Sequence, residues 1–413
     1  MTNTIAPMSK CLICETPIAP FLDFGRMPIA NGFLTPEQFG DEYFFNLAVA
    51  HCPKCSMVQL TELVDRERMF HENYAFFSST SSWMQRHFAS FADFVAQNWI
   101  SKDDPFVAEI GSNDGIMLRH FAERGIRHLG IEPSANVAEV ARGRGVRTTT
   151  EFFDENLARR IREENGPVDA FLGANVMCHI PYMHSVVAGI RLLLKPKGVL
   201  IFEDPFLGDI VERTSYDQIY DEHAFYFSLG SLTYLFRMHG MEIVDALPQE
   251  VHGGSMRWVV ALEGAHPVRD SVRALAEREA SLGLATPDCY ARFRGNVERS
   301  RDELLALLRR VRGEGKRVVG YAATSKSTTV TNYCGITPEL VEFISDTTPI
   351  KHGKFSPGTH IPVRPHAEFV ARYPDYALLF GWNHAREIME NERGFREAGG
   401  RWIVYVPRVE VVE

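Results

Sequence analysis

The sequence predicts an α/β protein in three parts: a small metal-stapled head, a central doubly wound and mostly parallel sheet, and a second α/β unit at the C-terminus. Three observations predict it. Two Cys-x-x-Cys pairs crowd into the first 55 residues. From Phe106 onward, short apolar runs alternate with amphipathic stretches. The same alternation resumes at Arg317 after a long, charged, helical stretch. A chain of 413 residues with 45% hydrophobic side chains can fill two or three cores, which sets expected boundaries of 1–70, 71–265 and 266–413.

The head rests on Cys11-Leu-Ile-Cys14 and Cys52-Pro-Lys-Cys55. Each pair presents two thiolates on one turn, and two such turns complete a tetrahedral Cys₄ site for Zn²⁺ with no position open for water. The expected zinc is therefore structural. Residues 19–50 between the pairs carry Pro, Gly and Phe without helical periodicity and could not fold without the staple. Cys178, Cys289 and Cys334 are scattered, and the last two read as small core residues.

Five strands are expected in the middle part, at 107–111, 128–133, 146–152, 169–175 and 198–205, with helices between them. Ligands of such sheets sit at the carboxyl ends of the strands. There the first strand runs into Glu109-Ile-Gly111-Ser-Asn113-Asp114-Gly115, and the second ends on Glu132, an acidic residue about 20 positions beyond the first glycine, as a ribose-binding carboxylate requires. A nicotinamide fingerprint needs G-x-G-x-x-G to bring a pyrophosphate against backbone N–H groups, and Asp114 would repel that anion. S-adenosylmethionine carries a cationic sulfonium and ammonium, so an acidic glycine loop suits it. Glu109 and Asp114 are expected near the methionine end, Glu132 on the ribose, and Phe152 beside the adenine. Asn175 and His179, after the fourth strand, are candidates for the space between methyl donor and acceptor.

Beyond the fifth strand lies Tyr220-Asp221-Glu222-His223-Ala-Phe225-Tyr226-Phe-Ser228. Four groups able to move protons or donate hydrogen bonds stand in a row. Histidine is the side chain best suited to proton abstraction near neutral pH, a neighbouring carboxylate can orient it, and a tyrosine can donate to a developing oxyanion. A second aromatic-polar run, Glu72 to Ser81, is expected to fold over the cofactor as a lid.

In the last third, residues 266–312 read as connecting helices, followed by strands at 317–323, 340–346, 377–382 and 401–407. Ser325 and Lys326 stand at a strand-to-helix turn, where backbone N–H groups and a lysine can hold an anion. Lys351 and Lys354 add positive charge near the next strand end. The GxxxxGK spacing is absent, which excludes a Walker site. Together these residues suggest a diphosphate pocket.

The balance of 44 Lys+Arg against 53 Asp+Glu, net −9, argues against a nucleic-acid surface. No apolar run reaches the roughly 18 residues of a membrane span, and the N-terminus lacks the charged-then-apolar pattern of a signal peptide. A cytoplasmic protein, monomer or homodimer, is expected.

With these motifs assembled, the whole chain resembles the sugar C-methyltransferases that act on nucleotide-linked 4-keto deoxysugars, the C-3 methyltransferases of the tetronitrose or mycarose type. The resemblance rests on the Cys₄ head, Asn73–Ser79, Glu109–Gly115, Tyr220–Ser228, Gly320–Lys326 and Asn332–Ile336. It departs at Gly320-Tyr-Ala-Ala-Thr-Ser325-Lys326, where the family tends to GAxAKG, and at Trp382-Asn383-His384, where a WNY-type motif is usual. The resemblance implies that His223 removes a proton next to a ketone, that Tyr220 and Tyr74 donate to the enolate oxygen, and that Glu222 orients His223. It also implies that the carbanion takes the sulfonium methyl. An NAD(P)-dependent oxidoreductase and an O-methyltransferase remain the alternatives.

Overall fold

A computed structural model describes residues 9–65 and 82–412. In the head, β1 (Pro20–Pro28), β2 (Phe44–His51) and β3 (Val58–Leu60) form an antiparallel sheet. Phe45, Leu47 and Val49 on β2 alternate inward to its core. Each cysteine turn closes with a backbone bond, Glu15 N–H to Cys11 O and Ser56 N–H to Cys52 O, both 2.9 Å. Glu15 and Ser56 both take a φ of 58°, the left-handed conformation that lets the chain leave such a turn abruptly.

The middle part is a seven-stranded sheet. The expected strands appear as β4 (Phe106–Ile110), β5 (Arg127–Ile131), β6 (Thr148–Thr149), β7 (Val168–Ala174) and β8 (Leu194–Pro205), all parallel. β6 is far shorter than expected because it is an edge, paired only to β5, and Glu151 and Phe152 leave the ladder toward the site. Side chains alternate between the two faces. Val107, Leu172 and Ile201 join a core with the helix Ser82–Asn98, whereas Ala108, Phe171 and Phe202 face the opposite core.

The short strand β9 (Phe225–Tyr226) leaves this part and pairs with β3 of the head. Two further strands were not expected: β10 (Met241–Gln249) and β11 (Ser255–Leu262) form an antiparallel hairpin on the β8 edge, giving the order β10-β11-β8-β7-β4-β5-β6. Ser255 lies opposite Pro205, the last residue of β8. The hairpin turn therefore reaches the carboxyl ends of the parallel strands.

The connecting helices are Asp270–Leu282 and Pro287–Gly313. The latter packs Tyr290 against Phe21 and His51 of the head. The C-terminal sheet contains β12 (Val318–Tyr321), β13 (Ile344–Asp346), β14 (Val363–Pro365), β15 (Tyr376–Leu379), β16 (Arg401–Val404) and β17 (Glu410–Val412) in the order β14-β13-β12-β15-β16-β17. β13 begins later than expected because Leu340 and Val341 close a turn back to Thr337. No helix among the described residues is long and apolar enough to cross a membrane.

Candidate active site and zinc centre

The four head cysteines converge. Cys11 Sγ lies 3.5 Å from Cys55 Sγ and Cys14 Sγ 3.4 Å from Cys52 Sγ, and all four sulfurs fall within 4.8 Å of one another. Zinc–sulfur bonds of about 2.3 Å place tetrahedral ligands about 3.8 Å apart, so the cluster fits the ion.

A cavity of about 450 Å³ opens where the three parts meet, over the carboxyl ends of β4, β5 and β7. At one end lie Gly111, Asn113, Glu132, Phe152 and Asn175. A Cβ on Gly111 would stand 2.7 Å from the Val176 side chain, at a φ of +63°, so only glycine lets the chain turn there. The Glu132 carboxylate is nearly buried and accepts the N–H groups of Asn113 (3.0 Å) and Ser134 (2.9 Å). Burial raises its pKa above the usual carboxylate range. Asn175 sits at a φ of 53°, and its Oδ1 is buried with no partner among the described residues. A fixed acceptor at the β5 end and an orphaned one at the β7 end suit the ribose and the cationic arm of S-adenosylmethionine.

Three expected cofactor residues do not line the cavity. Glu109 is 2% exposed within β4, its carboxyl pushed well up by burial and then by Glu132 and Asp114. Asp114 is fully buried and pairs with Arg144 at 3.1 Å. Gly115, at a φ of +77°, packs where a Cβ would meet Val146 at 2.9 Å. They shape the loop from behind. Replacing Glu132 by Ala is expected to weaken S-adenosylmethionine binding about 10- to 100-fold, the size of a lost charged hydrogen bond, as read by titration calorimetry. Unchanged affinity would remove Glu132 from the cofactor site.

His223 lines the same cavity and is 5% exposed. Its Nδ1 is 2.8 Å from the Gln218 carbonyl oxygen. A carbonyl only accepts, so Nδ1 carries the hydrogen and Nε2 the lone pair. Burial first, and then the charge of Lys326, bring its pKa down to about 4. The Tyr220 ring centroid lies 4.1 Å away, and the His179 ring stacks at 5.2 Å. Burial and Glu222 hold the Tyr220 phenol well above its usual pKa, hence protonated. Glu222 was expected to orient His223, but the Gln218 carbonyl occupies that position, and Glu222 instead accepts from Asn31 Nδ2 at 2.7 Å. The Ala30 N–H donates to Asp221 (2.9 Å), and Thr328 Oγ1 donates to Ala30 O (2.8 Å). The head, the middle sheet and the C-terminal unit thus lock together at residues 30 and 31.

If His223 Nε2 accepts a proton, kcat/KM falls only as pH drops through about 4, because protonation removes the lone pair. A pH–rate profile flat from pH 5.5 to 7 is expected. A limb near the ordinary histidine value of 6.5 would contradict this environment.

From the C-terminal unit, Ser325, Lys326 and Lys351 line the cavity, and Lys354 does not. Thr324 caps the helix Ser325–Cys334, its side chain accepting from the Ser327 N–H. Lys326 Nζ donates to Asn383 Oδ1 (3.0 Å) and stands 4.7 Å above the Trp382 ring. Burial lowers its pKa, and Asp217 opposes the shift. Asp217 in turn accepts from Trp382 Nε1 and the Tyr405 hydroxyl, both at 2.6 Å. Lys351 Nζ donates to the Ala323 carbonyl at 2.6 Å. Tyr74 and the expected lid lie outside the described residues. Sequence reasoning missed Asn31 and His252 and named Asn383 and His384 only as a departure from the family's motif; all four line the cavity. For His252 the available signal was the pair of glycines after it, which mark a backbone turn beside an ionisable residue.

Three family models cover the chain in succession: a zinc binding domain at 11–70, a methyltransferase domain at 82–246 and a C-methyltransferase C-terminal domain at 250–407. C-methyltransferase NovU of Streptomyces niveus is 34% identical over 415 residues, spanning 100% of this chain and 99% of its own. The chain belongs to the C-methyltransferase family. Membership decides for methyl over hydride transfer and for carbon over oxygen as the methylated atom. It also agrees with the cavity and the cysteine cluster on S-adenosylmethionine and zinc as the two cofactors.

Among solved structures, magnesium protoporphyrin IX methyltransferase from Synechocystis PCC 6803, with bound SAM, is 13% identical with a TM-score of 0.33, over 43% of this chain and 79% of that one. The CcbJ methyltransferase from Streptomyces caelestis is 12% identical with a TM-score of 0.33, over 43% and 90%.

Proposed function

We propose that this C-methyltransferase methylates C-3 of a nucleotide-linked 4-keto-6-deoxy sugar, carried on dTDP or GDP, through an enolate, with His223 as the base. One observation carries the reading. A single cavity holds the cofactor-binding strand ends, a neutral histidine with a free Nε2 lone pair, and a buried lysine beside a helix N-terminus.

A ketone acidifies the neighbouring C–H. His223 Nε2 takes that proton, and the electron pair moves onto the ketone oxygen, to which the protonated Tyr220 hydroxyl would donate. When bound, S-adenosylmethionine would supply an electrophilic methyl group: the enolate carbon would form the new C–C bond as the methyl–sulfonium bond breaks, its electron pair staying on the neutral thioether that leaves, and the ketone would re-form. His179, stacked on His223, fixes the imidazole plane. Ser325, Lys326 and Lys351 hold the diphosphate, with the helix N-terminus adding its partial positive charge. His384 stands where the resembling family usually has an aromatic, so it is placed to influence which acceptor fits.

A panel of dTDP- and GDP-linked 4-keto-6-deoxy sugars, incubated with S-adenosylmethionine and followed by mass, tests the acceptor class. Methylation of at least one is expected, and of none would refute it. With that acceptor, Lys326→Ala and Lys351→Ala are each expected to raise KM about 10- to 100-fold, as for a lost charged hydrogen bond. Unchanged KM in both would place the diphosphate elsewhere.

A further inference from the structure

The turn between β10 and β11 carries a residue that the proposed mechanism does not use. His252 has φ 54° and ψ 18°, a left-handed conformation costly for a side chain with a Cβ. The turn is clamped on both sides. A Cβ on Gly253 would stand 2.2 Å from the Trp382 ring, and one on Gly254 would stand 2.3 Å from Asp209 Oδ2. The Gly253 carbonyl accepts from Arg213 (2.7 Å) and the Gly254 carbonyl from the Phe206 N–H (3.2 Å). The backbone is thus forced to hold the imidazole against the cavity wall, at the carboxyl edge of β8.

There the His252 Nε2 is buried and has no hydrogen-bond partner among the described residues. A buried nitrogen left unpaired is costly, and strain is retained where a ligand repays it. Burial first, and then the charges of Lys326, His223, His384 and His87, take its pKa down to about 3, so the ring is neutral. A neutral imidazole brings no charge to a phosphate and suits an uncharged oxygen.

We propose that His252 is an additional acceptor-contacting residue, its Nε2 making the hydrogen bond that holds a sugar oxygen so that the reacting carbon faces His223. The inference rests on the proposed sugar acceptor and assigns that sugar's oxygen a specific partner.

His252→Gly and His252→Asn test it, because both residues tolerate the left-handed backbone. Both variants are expected to melt at or above the wild-type temperature and to bind S-adenosylmethionine unchanged. On the acceptor that wild type methylates, each should lose about 10- to 100-fold in kcat/KM, as for an unmade buried hydrogen bond. Added imidazole should restore part of the loss in His252→Gly, and an acceptor lacking the contacted oxygen should show no loss. A purely structural histidine would produce neither effect. Wild-type kcat/KM in His252→Gly, or a lowered melting temperature in both variants, would overturn the proposal. If wild type methylates no keto sugar, the acceptor class fails, and the melting comparison still decides whether strain is stored at residue 252.

Discussion

Replacing His223 by Asn is expected to lower turnover about 10²- to 10⁴-fold, the usual contribution of a positioned base, while leaving S-adenosylmethionine affinity almost unchanged. The two effects separate because the residues responsible stand on different elements. His223 lies in the turn before β9, fixed by the Gln218 carbonyl, whereas Glu132 and Asn113 follow β5 and β4. Asparagine keeps a polar group in a buried place but has no lone-pair nitrogen to accept a proton. Single-turnover kinetics with calorimetric binding of the methyl donor measure both quantities. Retention of most of the activity would show that another group, or a water, takes the proton.

Removing zinc is expected to cost as much. Structural zinc contributes about 10–16 kcal/mol of apparent binding free energy at neutral pH in small domains, comparable with the whole stability of a typical domain of about 5–15 kcal/mol. Without the ion the sheet of β1, β2 and β3 should come apart, taking with it the β3 pairing of β9, the Asn31–Glu222 bond and the Ala30–Asp221 bond. Chelation, or Cys52→Ser, should therefore abolish turnover, whereas the Glu132 end, built from β4 and β5, should still bind S-adenosylmethionine. Proteolysis would locate the unfolded segment in the head. Full activity in metal-free protein would mean that the head merely accompanies the catalytic parts.

The sequence made some of this legible and hid the rest for physical reasons. The cysteine pairs, the β4 and β5 ends and the Tyr220–His223 run are local patterns, and the local chemistry of each points to a ligand. Which side of the Gly111 loop Asp114 faces is not local: it depends on Arg144 packing against it from a helix end 30 residues away. The partner of Glu222 was hidden for the same reason, since Asn31 lies 191 positions distant in a segment without periodicity. The hairpin of β10 and β11 was overlooked although its alternation is ordinary. Its importance lies in register, Ser255 opposite Pro205, which carries His252 over the site, and register follows from pairing rather than composition.

The central claim is that C-3, next to the sugar ketone, loses its proton to His223 and gains a methyl group. The most direct test is one incubation of S-adenosylmethionine and enzyme with a nucleotide-linked 4-keto-6-deoxy sugar deuterated at C-3, read by product mass. The expected product has gained one methyl group and lost the deuterium. A methylated product that keeps the deuterium would contradict the account, because the methyl would then reside on an oxygen or on another carbon.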